Sequence, residues 1–386
     1  MGGSFAVLVA TLAAAPVNYE LSLRTEARTG TAYLAATSMA SFLELAPVAG
    51  LSTRFDRTAI EASYRPSLLY SLNVDHTLTV LHRGNLGASW QPSRKTRVNF
   101  DQSLAYGRND FSPLYAIQGT TPPDPHLPRV LILAYFSSTS SVGVNHSTLR
   151  GLEVGGSASY SLSGGLDQLA RSVLPLSRTG TVNGHADFEL TRTDWFTSNA
   201  NASVSRFSNG ANTEVANIRV GWRRQVTRAT QGDVSFGVSM TRSVRPGFAD
   251  AVGAGPSATL GISHQAPIKR PHQLSGSARV SYSAAIDPYG GGAYQRIEGV
   301  LGADYSAMGW LSFGVRGTGA RGLSPPELRN ALWQLEFTSR ATLDRHLAVG
   351  GGFRTAWISN SGAFPLQPVF QWAAFVGVII QQQGRL

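Results

Sequence analysis

Few side chains in this chain have the spacing that catalysis requires. His185, Asp187 and Glu189 alternate along one segment, so an extended chain would place them on one face, as a proton relay, a metal cluster or a hydrogen-bond network. The many serines include no GxSxG elbow, and the GGG runs at 290–292 and 350–352 lack the strand-to-helix context of a phosphate loop. The cysteine count is zero, which excludes thiolate sites. We therefore favour the hydrogen-bond network and predict a non-enzymatic protein with no catalytic residue, no metal site and no cofactor.

Isolated arginines dominate the charge of the chain. Lys and Arg number 33 against 23 Asp and Glu, a formal net charge of +10, and the only lysines are Lys95 and Lys269. Nucleic-acid binders usually gather their basic residues on one face or in runs. Because the arginines here are spread singly, we predict no nucleic-acid partner.

The elements that would carry these residues alternate between apolar and polar positions. In segment 57–70, Ala62 and Tyr64 fall on one face, and Glu61 and Arg65 fall on the other. A period of two is typical of a β-strand with two different environments. Counting such runs gives 18 candidate strands, from near Tyr19 to the stretch that begins at Val369.

The connections between these runs alternate between short and long. Short ones are predicted near Asp56, Ser93, Ser147, Thr193, Val226, Pro267, Gly309 and Leu343. Longer ones are predicted at 28–44, 108–128, 163–179, 243–256, 286–293, 320–329 and 358–365, although two others, near 72–75 and 207–212, are brief. Short periplasmic turns alternating with longer outer loops indicate a transmembrane antiparallel up-and-down β-barrel, all-β, of about 18 strands with 16 as the alternative. An even strand number places both termini in the periplasm of a Gram-negative bacterium. An interfacial aromatic girdle is predicted from Trp90, Trp195, Trp222, Trp310, Trp333 and Trp357.

Two other architectures fit less well. The apolar stretch 5–16 is too short for a membrane-spanning helix, which needs roughly 20 apolar residues, so we interpret 1–18 as a signal peptide or leader remnant and 19–386 as one barrel domain. A soluble β-sandwich would have strands of about five or six residues, and these runs are longer.

The polar face is the predicted lumen wall. Its candidate lining residues are Glu61, Arg65, Arg83, Arg97, Asp101, Glu153, His185, Asp187, Glu189, Arg219, Arg279, Arg296, Glu298, Arg316, Glu336, Arg340 and Arg354. These charges either pair across strands and stiffen the wall, or leave an arginine surplus that favours anionic solutes. The proline-rich loop 108–128 is interpreted as a surface loop, with a pore constriction as the alternative.

Two segments resemble a known family. Residues 54–71 and 80–107 are similar to the strand–turn–strand units of outer-membrane barrels encoded with exopolysaccharide export systems, through Ser63 to Leu68, His82, and Trp90 to Arg94. The resemblance implies a polymer conduit that works with a periplasmic polysaccharide-export protein and an inner-membrane synthesis complex.

Three functions remain open. Export of a polysaccharide across the outer membrane is the leading hypothesis, a general or anion-preferring porin for small anionic solutes is the second, and a plugged structural or adhesive barrel is the third. In each case we expect outer-membrane lipid around the barrel. Basic residues near the short turns are expected to contact lipid headgroups or a periplasmic partner.

Overall fold

A computed structural model of the chain describes residues 17–31, 39–72, 76, 78–110, 132–148, 151–247, 249–267, 272–287, 291–324, 331–359 and 369–385. Within these ranges the elements are nineteen strands and one short helix. The strands are β1 Val17–Thr31, β2 Met39–Phe55, β3 Thr58–Tyr64, β4 Ser67–Ser71, β5 Leu78–Ser93, β6 Thr96–Asp110, β7 Ile132–Ser147, β8 Leu152–Gly165, β9 Ser177–Glu189, β10 Asp194–Phe207, β11 Asn212–Gln225, β12 Thr230–Val244, β13 Ala251–Pro267, β14 Gln273–Ile286, β15 Ala293–Met308, β16 Leu311–Ser324, β17 Ala331–Thr342, β18 Leu347–Ser359 and β19 Val369–Arg385; the helix is α1, Gln168–Val173.

The strands form one closed antiparallel barrel. Each strand pairs with its neighbours in the chain, and β1 pairs with β19 from Asn18 opposite Arg385 to Gly30 opposite Ala373, so the sheet has no free edge. β3 and β4 together make one wall strand, which both pairs with β2 and with β5. The barrel therefore has 18 wall strands, and the predicted fold class and strand number are confirmed.

Prolines interrupt one wall strand. β3 ends at Tyr64 and β4 begins at Ser67, with Pro66 between them. The pairing with β2 stops at Ala49 opposite Tyr64 and resumes at Leu45 opposite Leu68, so Pro47 lies beside the same gap. Because proline has no backbone N–H to donate, two prolines facing one gap account for the break in the ladder.

The two faces of the barrel are inverted relative to a water-soluble protein. Large apolar side chains point outward and are exposed, including Phe236 at 62% and Leu260 at 64%, whereas polar side chains such as Ser239 and Thr213 are fully buried at 0%. An apolar exterior is favoured because lipid tails surround it. The alternation of apolar and polar residues along each strand produces the outer and inner faces together.

Strand ends lie at or beside all eight positions where the sequence predicted short turns, and residues 149–150 and 268–271 of these connections lie outside the described residues. In the turn between β17 and β18, the Asp344 carboxylate accepts hydrogen bonds from the backbone N–H groups of His346 at 2.6 Å and Leu347 at 2.9 Å. These bonds favour the ionised form and hold the pKa of Asp344 below its usual range.

The predicted long connections are less accurate. The connection 28–44 is wrong at both ends, because β1 continues to Thr31 and β2 begins at Met39. Likewise 243–256 is too long, since β13 begins at Ala251. Residues 111–128 of the proline-rich loop lie outside the described residues, as do residues 1–16 of the predicted leader, and its last two residues begin β1.

Two of the long connections turn toward the barrel interior. Helix α1, capped by the Asp167 carboxylate at the Ala170 N–H, packs Ala170 and Leu174 onto Leu133 of β7, with Tyr135 beside them. The pairing register places Tyr135 on the face of the sheet that carries Arg83, which is the inner face, so α1 covers part of the inner wall. In the part of the chain that the structure describes, no helix has the length and apolar character needed to cross a bilayer.

The connection between β14 and β15 is the second inward segment. The Gly291 carbonyl accepts hydrogen bonds from the hydroxyls of Thr213 on β11 and Ser243 on β12. The Gln295 amide donates to Ser239 on β12 at 3.3 Å. Since β12 and β11 lie two and three strands from β14 around the wall, this connection crosses over the inner face at the long-loop end.

Candidate functional site

The inner wall is where the chemistry of this barrel is concentrated. Strand alternation and pairing register place the predicted lining residues on the inner face; whether they act in transport stays a prediction. These residues are Glu61, Arg65, Arg83, Arg97, Asp101, Glu153, His185, Asp187, Glu189, Arg219, Arg279, Arg296, Glu298, Arg316, Glu336, Arg340 and Arg354. They do not form one cluster but separate into distinct regions of the wall.

A buried ionic network lies at the seam where the barrel closes. Arg28 on β1 contacts Glu26 at 2.5 Å and also pairs with Glu44 on β2. On the other side of the seam, Arg354 on β18 pairs with Glu336 on β17 at 2.7 Å. All five side chains are buried, and the charge of Arg354 also acts on Glu26. We call these residues, together with Arg24, the seam cluster.

The last strand, β19, contributes an aromatic ring that packs against the seam cluster. The Arg354 guanidinium lies 4.4 Å from the ring centroid of Phe375 on β19. A Cβ at Gly352 would lie 2.6 Å from that ring, so glycine at this position gives the ring its space. Arg24 completes the network by pairing with Glu26.

The sequence analysis missed four of the six residues of the seam cluster. Arg24, Glu26, Arg28 and Glu44 were not among the predicted lining residues, and the connection predicted at 28–44 included two of them. The signal was present, since polar residues occupy alternate positions from Asn18 to Arg28.

One girdle prediction is wrong in its direction. Trp195 lies on the inner face, where the Arg223 guanidinium stands 5.4 Å from its ring centroid and pairs with Asp187 at 2.9 Å. The neighbouring Phe196 is the exposed aromatic of β10. His185 lies on the same inner wall, against Gly155 of β8. The other predicted girdle residues are exposed: Trp90, Trp222, Trp310, Trp333 and Trp357.

A second region of the inner wall contains arginines with few acidic partners. On β11, Arg219 donates to the Thr259 hydroxyl at 2.6 Å. On β14, Arg279 has a loose partner in Asp233 at 3.6 Å and is 63% exposed. Arg219 and Arg279 are near enough to repel each other. Both guanidiniums therefore keep donors that a ligand can use.

A third region is acidic. Glu20, Glu61 and Asp101 contribute to a cavity of about 850 Å³ in the inner wall of β1–β6, whose other polar lining is hydroxyl and amide groups such as Ser63 and Asn85. Within the described ranges, none of the three carboxylates makes an ion pair. By contrast, Arg296 and Glu298 pair with each other at 2.6 Å.

This wall can bind and orient hydrated solutes. Hydroxyls, amides and both signs of charge face the interior, and among the described residues no group of three or more His, Asp or Glu is arranged to hold a metal ion. Such groups exchange hydrogen bonds with water and with sugar hydroxyls without covalent chemistry.

A family model matches residues 9–386 and describes the EpsX exopolysaccharide export family. The chain belongs to this family. The resemblance seen in the strand–turn–strand segments of the sequence is thereby confirmed over nearly the whole chain.

Several solved structures are similar to the chain at low sequence identity. The FrpB iron transporter from Neisseria meningitidis aligns with a TM-score of 0.51 at 7% identity, over 90% of this chain and 63% of that one. OpdK from Pseudomonas aeruginosa aligns at a TM-score of 0.49 and 12% identity, over 95% and 99%, and OccAB2 from Acinetobacter baumannii at 0.49 and 8%, over 95% and 98%. At these identities the likeness concerns the fold alone. No curated protein matches the chain.

Family and fold together assign the broad role. The chain is an outer-membrane β-barrel channel of the transport type, associated with polysaccharide export systems.

Proposed function

We propose that this channel conducts a polysaccharide across the outer membrane. The observation that carries the proposal is membership of the exopolysaccharide export family over residues 9–386. The wall supports it, because the interior presents serine and threonine hydroxyls, amides and charged groups, with few aromatic side chains, to whatever passes. A hydrated sugar chain can exchange its water for such groups at little cost.

The same proposal includes an orientation and partners. We place both termini and the short turns in the periplasm, with outer-membrane lipid around the apolar face. Exposed cations occupy the short turns, including Arg57, Lys95 and Arg228. They suit contact with anionic lipid headgroups or with a periplasmic polysaccharide-export protein.

Export in cells tests the proposal directly. Deleting the gene should abolish surface polysaccharide and leave polymer in the periplasm, and the wild-type gene supplied in trans should restore export. Measuring extracellular and periplasmic polymer separately distinguishes a transport defect from a synthesis defect. Unchanged surface polymer in the deletion strain would contradict the proposal.

A porin for small anions is the second candidate. The arginines Arg316 and Arg340 favour it, because both are exposed on the inner face and make no ion pair in the described part of the chain. Planar-bilayer recordings of the purified barrel decide between the two: a porin shows a large steady current with anion selectivity. A barrel that conducts nothing, in a deletion strain that still exports polymer, would instead favour a structural role.

A further inference from the structure

The arginine region of the inner wall contains more binding capacity than the protein itself uses. Arg219 donates one hydrogen bond, to the Thr259 hydroxyl, and Arg279 has only the loose contact with Asp233 at 3.6 Å. An arginine presents five N–H donors in a planar fork that matches a carboxylate. Two forks, on β11 and β14, therefore face the lumen with donors available.

Unsatisfied polar atoms lie beside these arginines. The Asn217 Oδ1 and the Ser257 Oγ have no hydrogen-bond partner, although the residues are only 8% and 1% exposed. Asn217 shares the inner face of β11 with Arg219, two residues away, and Gly237 lies in register between Arg219 and Ser257. Buried polar atoms normally have partners, so these positions are suited to groups supplied from outside.

The chemistry of these atoms narrows the ligand. Arginine forks require an oxyanion, whereas an amide oxygen such as Asn217 Oδ1 can only accept a hydrogen bond and requires a donor. A fully ionised small anion supplies no donor. A sugar that bears both a carboxylate and hydroxyls supplies each group that the wall lacks.

The opposite side of the barrel reinforces this choice. Asp101 follows the first residue of β6 by five positions, and Arg279 follows the first residue of β14 by six, so the two lie at similar heights above the short turns. Around the ring of 18 wall strands, β1 with Glu20 stands opposite β11 with Arg219. The carboxylates of Glu20 and Asp101 repel the anionic edge of a polymer in the lumen and accept hydrogen bonds from its hydroxyls.

We propose that Asn217, Arg219, Ser257 and Arg279 form a subsite for the carboxylate and adjacent hydroxyls of an acidic sugar polymer. This inference rests on the proposed export function and specifies its substrate class. The polymer then lies with its anionic edge toward β11–β14 and its hydroxyl edge toward the carboxylates of β1–β6.

Calorimetric titration of the folded full-length barrel in detergent tests the subsite and requires no open pore. The probes are oligogalacturonate, a neutral maltooligosaccharide of equal length, and inorganic phosphate. We expect oligogalacturonate to bind at least about tenfold more tightly than either control, since charge-assisted hydrogen bonds are roughly twice as strong as neutral ones, and to weaken with added salt.

Variants locate the binding. Arg219→Gln and Arg279→Gln should each lower oligogalacturonate affinity about tenfold, and Asn217→Leu should lower it without changing the response to phosphate. Arg228→Gln, in a short turn, is the matched control and should bind normally. Heat-modifiable mobility on gels verifies that each variant is folded.

Two results would overturn the subsite: phosphate or the neutral oligomer binding as tightly as oligogalacturonate, or affinity unaffected in both arginine variants. The deletion experiment above is independent of these titrations. If the deletion strain loses export but the purified barrel does not bind oligogalacturonate, the subsite alone is rejected. If the barrel binds oligogalacturonate but the deletion strain still exports polymer, the export function alone is rejected.

Discussion

Arg354 is held by three different interactions at once. Its guanidinium pairs with Glu336, lies over the Phe375 ring and acts electrostatically on Glu26. A buried charge has lost its hydration, so its partners supply most of what holds it in place. Removing one member leaves the others buried without compensation, and the loss is much larger than for an exposed pair.

We expect Arg354→Met to lower the free energy of unfolding by about 3–5 kcal/mol, because Glu336 then stays buried without its partner. The double variant Arg354→Met with Glu336→Leu should recover most of that loss. The measurement is urea unfolding in lipid vesicles, followed by heat-modifiable mobility. Arg316→Met is the control, since Arg316 is exposed to the lumen opposite the same glutamate. A double variant no more stable than the single one would show that the pair is not the cause.

Single residues also show the limit of reading faces from sequence. Trp195 was predicted for the aromatic girdle from its place beside a short turn, but turn proximity says nothing about which face a side chain takes. Its neighbour Phe196 shows the reason: only the strand register, fixed by pairing with β11, decides that 196 faces lipid and 195 faces the interior. A shift of one residue would reverse both.

At the scale of the element, β14 illustrates how one strand serves two environments. Val280 points to lipid and is 47% exposed, whereas Ser281 points inward opposite Glu298. Both lie near the middle of Gln273–Ile286. The same charge placed at either position therefore meets hydrocarbon in one case and water with a carboxylate in the other.

We expect Val280→Arg to destabilise the folded barrel by about 2–4 kcal/mol, as for a charge at the membrane midplane. Ser281→Arg should cost less than about 1 kcal/mol because Glu298 and water solvate it. Unfolding of both variants in the same lipid measures the difference. Equal costs would mean that the assigned faces of β14 are incorrect.

Strands were predictable from the sequence, and most of the inward connections were not. Period-two alternation is a local property, so it revealed the wall strands and their eight short turns. Helix α1 packs on Leu133, and Gly291 contacts Thr213, through pairs of residues distant in sequence that no local pattern reports. The β1–β2 half of the seam cluster was missed for another reason, because the connection predicted at 28–44 covered the ends of both strands.

For the whole molecule, the proposed orientation places the long connections at the cell exterior. The chain has no cysteine, so a single introduced thiol can be labelled without background. Arg228 lies in a short turn between β11 and β12, and Asp250 lies in the longer connection before β13; both are exposed.

We expect a membrane-impermeant maleimide to label Asp250→Cys on intact cells. It should label Arg228→Cys only after the outer membrane is permeabilised, because the short turns are placed in the periplasm. Labelling of both variants in lysed cells controls for thiol reactivity. The reversed pattern would invert the proposed orientation.

The seam cluster has a consequence for how the barrel is made. While the sheet is still open, β1 carries Arg24, Glu26 and Arg28 at one edge and β18 carries Arg354 near the other, so the network is divided between them. Each half has its own ion pairs before closure, Arg28 with Glu44 on β2 and Arg354 with Glu336 on β17. The charge of Arg354 acts on Glu26 only after β19 has paired with β1, so we expect this last contact of the cluster to form when the barrel closes.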